Sequence, residues 1–218
     1  MHTIPHLAAR SVAGAEHLSA LLDRIEGAGI TDVFVIAGDS PEPAGPFPDA
    51  LSLLRAMDEL GRRPARLGIT GYPESHAFLP DGDTVTAMID KSRYADYIVS
   101  QICFDPNTIA TWVKDVRSRG VDLPIYIGAP GAVEATKLLR ISMKIGLGES
   151  MRFLRKQRGV VTKLLTRYTP ENLFEELAPY LPDADYGIAG WHLYTFNETG
   201  KTLQWQQDLL ARFQEVPA

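Results

Sequence analysis

The chain has 218 residues, of which 45% are hydrophobic and 22% are charged, and its formal net charge is −5. This composition is typical of one globular domain with a sizeable core, and we expect a single domain over residues 1–218. The negative charge argues against binding to nucleic acids or to membrane surfaces, because a protein that binds a polyanion needs a positively charged surface.

Sequence features also limit the compartment and the metal chemistry. Cys103 is the single cysteine, so this chain alone cannot form a disulfide framework or a cysteine zinc site. The five histidines follow no metal-ligand spacing, and we predict no metal site. The start of the chain lacks a signal-peptide layout, and no apolar run reaches the roughly 20 residues of a membrane span. We expect a cytoplasmic protein.

Amphipathic helices alternate with short apolar strands along the chain. In the first unit, apolar residues recur at helical spacing from Leu18 to Ile25, Gly29 ends the helix, and 33–36 is an apolar strand. The same pattern predicts strands at 4–9, 33–36, 65–72, 96–104, 125–127 and 184–196. It predicts further helices around 47–62, 84–94, 109–116, 131–143, 149–158, 170–180 and 201–213.

Six apolar strands alternating with helices indicate an α/β fold with a parallel sheet, either a (β/α) barrel or a doubly wound sheet. No G-x-G-x-x-G follows a strand, which weakens the doubly wound alternative. In a barrel, functional residues lie at the carboxyl ends of the strands. The candidates at those ends are His6, Gly38-Asp39, Tyr72–His76, Gln101, Gly128–Pro130 and His192–Asn197.

Each candidate also has a structural interpretation. The Asp39 carboxylate could orient a heterocycle or cap a turn or helix. Gln101 places an amide in an apolar strand, where an unpartnered amide costs about 1–3 kcal/mol, so it needs a ligand or a backbone partner. Its donor and acceptor atoms would suit a pterin-like edge. Tyr72, Glu74 and His76 alternate on one extended segment, which forms either a cofactor wall or a surface turn.

The stretch from Lys137 to Arg167 carries nine basic residues and one acid. Such a region could attract an anionic ligand tail, or it could be the solvated face of helices.

Six segments resemble, in the same order, the methylenetetrahydrofolate reductase family. They are PHLAA (5–9), FVIAGDSPEP (34–43), GYPESH (71–76), ADYIVSQICFD (95–105), PIYIGAP (124–130) and HLYTFN (192–197). The resemblance implies a (β/α)8 TIM barrel with FAD at its mouth. In that family, NAD(P)H reduces the flavin, which passes a hydride to 5,10-methylenetetrahydrofolate and yields 5-methyltetrahydrofolate for one-carbon metabolism and methionine biosynthesis.

The resemblance also implies roles for individual residues. Asp39 matches an aspartate near the flavin and the pterin, and Gln101 and Phe104 match folate contacts. The flavin-side positions correspond to His6, Tyr72, His76 and, with a one-residue deletion, Lys91 near the FAD phosphates.

The departures from the family pattern are equally informative. The matches begin at the family's third strand, so the first two βα units and their acidic glutamate have no counterpart here. Glu74 is the nearest replacement for that acid. Asp90 stands where the family has an arginine beside the lysine, and an acid there would repel the FAD pyrophosphate instead of binding it. Glu198 replaces an arginine that holds the folate glutamate.

Two functions follow from the resemblance. One is reduction of methylenetetrahydrofolate by NAD(P)H, with or without FAD. The alternative is a non-catalytic folate-binding protein or partner subunit whose barrel another chain completes. Open sheet edges invite association, so a homo-oligomer or a partner chain is expected in either case.

Overall fold

The computed structural model describes residues 2–74, 81–144 and 167–214. Its main strands are β1 His6–Ala8, β2 Asp32–Ile36, β3 Arg66–Gly71, β4 Tyr97–Ser100, β5 Ile125–Pro130 and β8 Ile188–Tyr194. Two short strands, β6 Val133–Glu134 and β7 Arg167–Tyr168, form a separate antiparallel pair. The helices are α1 Ala15–Gly27, α2 Ala50–Glu59, α3 Asp81–Ser92, α4 Pro106–Ser118, α5 Ala135–Lys144, α6 Glu171–Leu177 and α7 Thr199–Gln214.

The main sheet is entirely parallel, and its strand order β1-β2-β3-β4-β5-β8 follows the chain. A doubly wound sheet reverses its strand order, so this sheet is of the barrel type. The described residues supply six main strands, and no backbone ladder joins β1 to β8 among them. The sequence predicted a barrel-type fold without the first two βα units of a (β/α)8 barrel. The six-stranded parallel sheet agrees with that strand count, whereas closure of the sheet is not observed in this part of the chain.

The two faces of the sheet pack differently. One face buries aliphatic strand residues such as Val35, Ile69 and Ile127 against helix residues such as Leu53 and Val113. The other face is rich in aromatic side chains, namely Phe34, Tyr97, Tyr126 and Tyr194. The aliphatic layer is the core between sheet and helices, and the aromatic layer fills the concave side of the sheet.

Glycines make room for the aromatic layer. A Cβ atom at Gly68 would lie 2.4 Å from the Tyr97 ring. At Gly128, a Cβ atom would lie 2.0 Å from the Ser100 carbonyl oxygen and 2.6 Å from the Tyr194 ring. Because real Cβ atoms do not approach so closely, side chains at these positions would displace the aromatic rings or the neighbouring strand.

Several predicted boundaries were wrong. The strand predicted at 96–104 ends at Ser100, because Asp105 caps α4 by accepting a hydrogen bond from the Asn107 backbone N–H at 2.9 Å. The helix predicted at 131–143 begins at Ala135, after the unpredicted strand β6. The helix predicted at 149–158 lies outside the described residues. Within the described part of the chain, no helix is both long and apolar enough to cross a membrane.

We expect Gly128→Ala to lower the free energy of unfolding by about 3 kcal/mol, because the new methyl group meets the backbone of β4. Gly27→Ala is the matched control, since a Cβ atom there has no neighbour within 4 Å. Urea unfolding of both variants checks this expectation. Equal stability of the two variants would contradict the packing described for β4 and β5.

Candidate functional site

A cavity of about 1190 Å³ lies along the gap between the two edge strands, β1 and β8. Its wall includes residues 2–6, residues 191–197 and part of α7. Ligand pockets commonly measure about 300–1,000 Å³, so the cavity can hold a ligand with several rings. It extends from the amino ends of the strands, at Arg66 and Tyr97, to their carboxyl ends, at Gln101.

Three of the residues with roles implied by the family resemblance, His6, Asp39 and Gln101, line this cavity. They come from β1, from the loop after β2 and from the segment after β4. Asp39 is exposed at the wall. Asp49, rather than Asp39, caps α2 by accepting the Ser52 backbone N–H at 2.8 Å. The helix-cap interpretation of Asp39 was therefore wrong.

The Gln101 carboxamide is held by a hydrogen bond from the backbone of the next residue. Its side-chain oxygen accepts the Ile102 backbone N–H at 3.2 Å, and its backbone N–H donates to the Gly71 carbonyl at 2.7 Å. Within the described part of the chain the side-chain nitrogen has no hydrogen-bond partner. Two N–H donors at the cavity wall are thus left for an acceptor on a ligand.

A pair of histidines forms the middle of the wall. The rings of His6 and His192 lie 5.9 Å apart, and Phe34 contacts both, with ring centroids at 4.9 and 5.5 Å. Burial lowers the pKa of His192 to about 4, with a smaller contribution from the nearby His6. The pKa of His6 is also lowered, because part of its ring is removed from water. The rest of this side chain faces the cavity and is exposed to solvent. Both imidazoles are therefore neutral at neutral pH.

The sequence placed His192 at a strand end but did not predict a specific role for it. The signal that could have found it is the alternation of β8, in which His192 and Tyr194 share one face. Tyr194 is fixed there because its hydroxyl donates to the Ser100 carbonyl at 3.1 Å. Burial raises the pKa of this hydroxyl, which keeps it protonated.

An ion cluster lies behind the cavity wall at the start of α7. The Glu198 carboxylate pairs with Lys137 at 2.6 Å and with Lys201 at 2.5 Å. These lysines, Lys137 first, hold the pKa of Glu198 at about 2. Glu134 also pairs with Lys201, at 3.5 Å, so two carboxylates balance the charge of the two lysines that an anionic tail would otherwise meet. The rest of the basic region, from 145 to 166, lies outside the described residues.

Other predicted site residues are not part of the cavity wall formed by the described residues. Lys91 is buried, and its ammonium group donates to the Thr70 hydroxyl at 3.0 Å. Burial lowers its pKa to about 8, partly offset by the charge of Asp49. Tyr72 is half-buried beside Thr70, and burial raises its pKa.

Three further predictions have different outcomes. Glu74 is half-buried in the segment after β3. Phe104 is buried in an apolar cluster with Ile102 and Leu138. His76 lies outside the described residues. Among the described residues, no group of three or more His, Cys, Asp or Glu side chains could hold a metal ion.

Acidification should destabilise the fold through His192, whose half-buried ring is desolvated in the cavity wall. Between the ordinary histidine pKa of 6.5 and the folded value of about 4, the unfolded chain binds a proton at His192 that the folded chain does not. The contribution of His192 to the free energy of unfolding is therefore fully present above pH 6.5, and it is lost as the pH falls towards 4. We expect a loss of about 2 kcal/mol between pH 7.5 and pH 5, measured by urea unfolding.

His192→Phe keeps a ring against Phe34 and should remove much of this pH dependence. His17→Gln is the control on the exposed start of α1, and it should retain the dependence. A pH profile unaltered by His192→Phe would show that another group is responsible.

Comparison with known proteins gives a consistent result. The family model described as methylenetetrahydrofolate reductase matches residues 1–146. Methylenetetrahydrofolate reductase 2 of Saccharomyces cerevisiae is 26% identical over 197 residues, which cover 83% of this chain and 32% of the yeast protein. Methylenetetrahydrofolate reductase (NADH) 1 of Arabidopsis thaliana is 23% identical, over 90% of this chain and 36% of the plant protein. This chain thus spans about a third of the length of these curated relatives.

A solved structure shares the fold. It is described as "Uncharacterized protein from Clostridium thermocellum binds two copies of 5-methyl-5,6,7,8-tetrahydrofolic acid". The TM-score is 0.58 at 13% sequence identity, with 86% of this chain and 64% of that chain covered. The family model matches more than half of the chain, and the chain belongs to the methylenetetrahydrofolate reductase family.

Proposed function

We propose that this chain reduces 5,10-methylenetetrahydrofolate to 5-methyltetrahydrofolate with NAD(P)H, in the cavity between β1 and β8. One observation carries the proposal. His6, Asp39 and Gln101, which the family resemblance assigns to flavin and folate, come from three separate segments and line one cavity. The names of the relatives support a nicotinamide as reductant, because the Arabidopsis protein is named for NADH and a Caenorhabditis elegans relative is named "Probable methylenetetrahydrofolate reductase (NADPH)".

The reaction requires one hydride and one proton. The hydride is added to the methylene carbon bridging N5 and N10, the bond from that carbon to N10 breaks, and a proton is added to N10. The carbon remains on N5 as a methyl group, and the nicotinamide leaves oxidised. The protein must therefore orient the pterin and supply a proton close to N10.

The cavity wall offers groups that could orient the pterin. The Gln101 amide donors would bind its acceptor atoms, and the neutral rings of His6 and His192 would pack beside it. The exposed Asp39 carboxylate lines the cavity and would orient the heterocycle by its charge. For the proton we keep Glu74, a half-buried carboxyl after β3, although it does not belong to the described cavity wall.

The residues assigned to FAD fit it only in part. His6 lines the cavity, but the Lys91 ammonium is buried and bonded to Thr70 instead of facing the wall. A phosphate needs an accessible cation. Lys91 does not meet that requirement, and no step of the proposed reaction is assigned to a flavin.

The direct test is oxidation of NADH and of NADPH by the purified chain with methylenetetrahydrofolate, with a visible spectrum to detect bound flavin. We expect steady turnover. Asp39→Asn should lower kcat/KM by about 100-fold because the charge that orients the heterocycle is lost. Asp23→Asn, on the exposed side of α1, is the matched control. Glu74→Gln should lower kcat by a similar factor, because the proton donor is lost. Unchanged turnover in Glu74→Gln would show that another group supplies the proton.

A second candidate is folate binding without reduction. The Clostridium thermocellum structure favours it, because that protein is described as binding 5-methyltetrahydrofolate. Under this alternative, calorimetry would detect 5-methyltetrahydrofolate binding, and the chain would oxidise neither NADH nor NADPH. Loss of binding in Gln101→Leu, by about tenfold, is expected for both candidates because both use the amide donors.

A further inference from the structure

The amino-terminal end of the cavity carries polar groups that the proposed reaction does not use. Four residues of neighbouring strands line this end of the wall. Asp32, Arg66 and Tyr97 are the first residues of β2, β3 and β4, and Tyr126 is the second residue of β5. Tyr97 and Gln101 are four residues apart along β4 and its extension. At about 3.3 Å per residue, the two ends of the cavity are therefore about 13 Å apart.

Tyr97 is the informative residue. The side chain is 2% exposed and lines the cavity, and its hydroxyl has no hydrogen-bond partner among the described residues. A buried hydroxyl without a partner costs about 1–3 kcal/mol. Burial also raises its pKa, so the group remains a proton donor at any physiological pH. The Tyr97 hydroxyl can therefore donate a hydrogen bond to an acceptor atom of a ligand.

Arg66 supplies a cation at the same place. Its guanidinium lies 5.0 Å from the centre of the Tyr97 ring, and its side chain is 46% exposed. It pairs with Asp32 at 3.0 Å. A guanidinium has five N–H donors, so these contacts leave donors that a ligand can use.

The acid beside them does not present a free charge. One oxygen of the buried Asp32 carboxylate receives hydrogen bonds from the Thr31 hydroxyl at 2.8 Å and from His2 at 3.1 Å. The other oxygen accepts no hydrogen bond from the described residues and lies 3.0 Å from the Arg66 guanidinium, whose charge offsets that of the carboxylate. The groups with unused N–H or O–H donors at this end are Arg66 and Tyr97. Donors bind charged oxygens more strongly than neutral ones.

We infer that Arg66 and the Tyr97 hydroxyl form a binding site for an anionic group, a carboxylate or a phosphate, at the amino-terminal end of the cavity. The inference rests on the proposed function for the source of that group. A reduced folate carries its carboxylates at the end opposite the pterin, and a nicotinamide nucleotide carries phosphates away from the nicotinamide. Either ligand could bind its ring near Gln101 and its anion at Arg66.

Tyr97→Phe is a sharp test, because it keeps the ring and removes only the hydroxyl. Calorimetric titrations would use 5-methyltetrahydrofolate, its analogue without the glutamate, NADH and inorganic phosphate. We expect about a tenfold weaker affinity for the ligand whose anion occupies the site, and a higher melting temperature of the free protein. Tyr180→Phe, which removes a hydroxyl on a ring packed against Tyr186, is the control.

The ligands separate the two sources. A loss confined to 5-methyltetrahydrofolate, and absent with the analogue, identifies the glutamate carboxylate, and a loss confined to NADH identifies the phosphates. Arg66→Lys, which keeps the charge next to Asp32 but loses the planar fork, should weaken the same ligand, whereas Arg62→Lys should not.

Unchanged affinities for all ligands in Tyr97→Phe would overturn the inference. The cluster would then only stabilise the amino-terminal end of the sheet. If the unaltered chain binds neither folate nor nicotinamide, the proposed function fails. The phosphate titration then decides on the anion site by itself, since weaker phosphate binding in Tyr97→Phe supports it and equal binding refutes it.

Discussion

The close packing of aromatic rings against glycines on the concave face of the sheet is the constraint on which the rest of the structure depends. Tyr97 lies over Gly68, and Tyr194 lies over Gly128. Large rings on β4 and β8 can share one interior only because β3 and β5 contribute no side chain at those points. This arrangement fixes the register of four strands and with it the positions of the residues at their ends.

The same packing decides what the cavity can be. The rings fill the interior next to β3, β4 and β5, so the open space lies between β1 and β8. His6 and His192 meet across that space. Because the environment is aromatic and largely desolvated, it favours uncharged imidazoles, whereas the charged groups are confined to the two ends of the cavity.

At both ends, opposite charges are paired. Asp32 is paired with Arg66 at the amino ends of the strands, and Glu198 is paired with Lys137 and Lys201 near the carboxyl ends. The two ends differ in what remains available. Glu198 and Glu134 balance the two lysines, whereas the Arg66 end retains the Tyr97 hydroxyl and guanidinium donors. Charge counting along the sequence, which singled out the basic region 137–167, could not detect this difference because it ignores pairing.

The alternation of apolar strands and amphipathic helices was sufficient to predict the parallel sheet, the helix stops at Gly29 and Gly120, and the placement of Asp39 and Gln101 after the carboxyl ends of β2 and β4. His6 was expected at a carboxyl end, but it is the first residue of β1. Period-two and helical spacing are local properties, which the sequence displays directly. The family, too, was recognisable from six short segments, and the match of the family model to residues 1–146 confirms it. The strand end at Ser100 and the pair β6–β7 were missed, because a helix cap and a contact between distant segments determined them.

What the sequence by itself determined is the barrel-type order of strands and the family, since both depend on patterns read along the chain. Only the tertiary structure decided which residues share a cavity. It placed His192 beside His6 and gathered Arg66 and Tyr97 at the opposite end, and it buried Lys91 against Thr70. The physical reason is that burial, ring packing and charge pairing depend on residues far apart in the chain, and no local pattern records them.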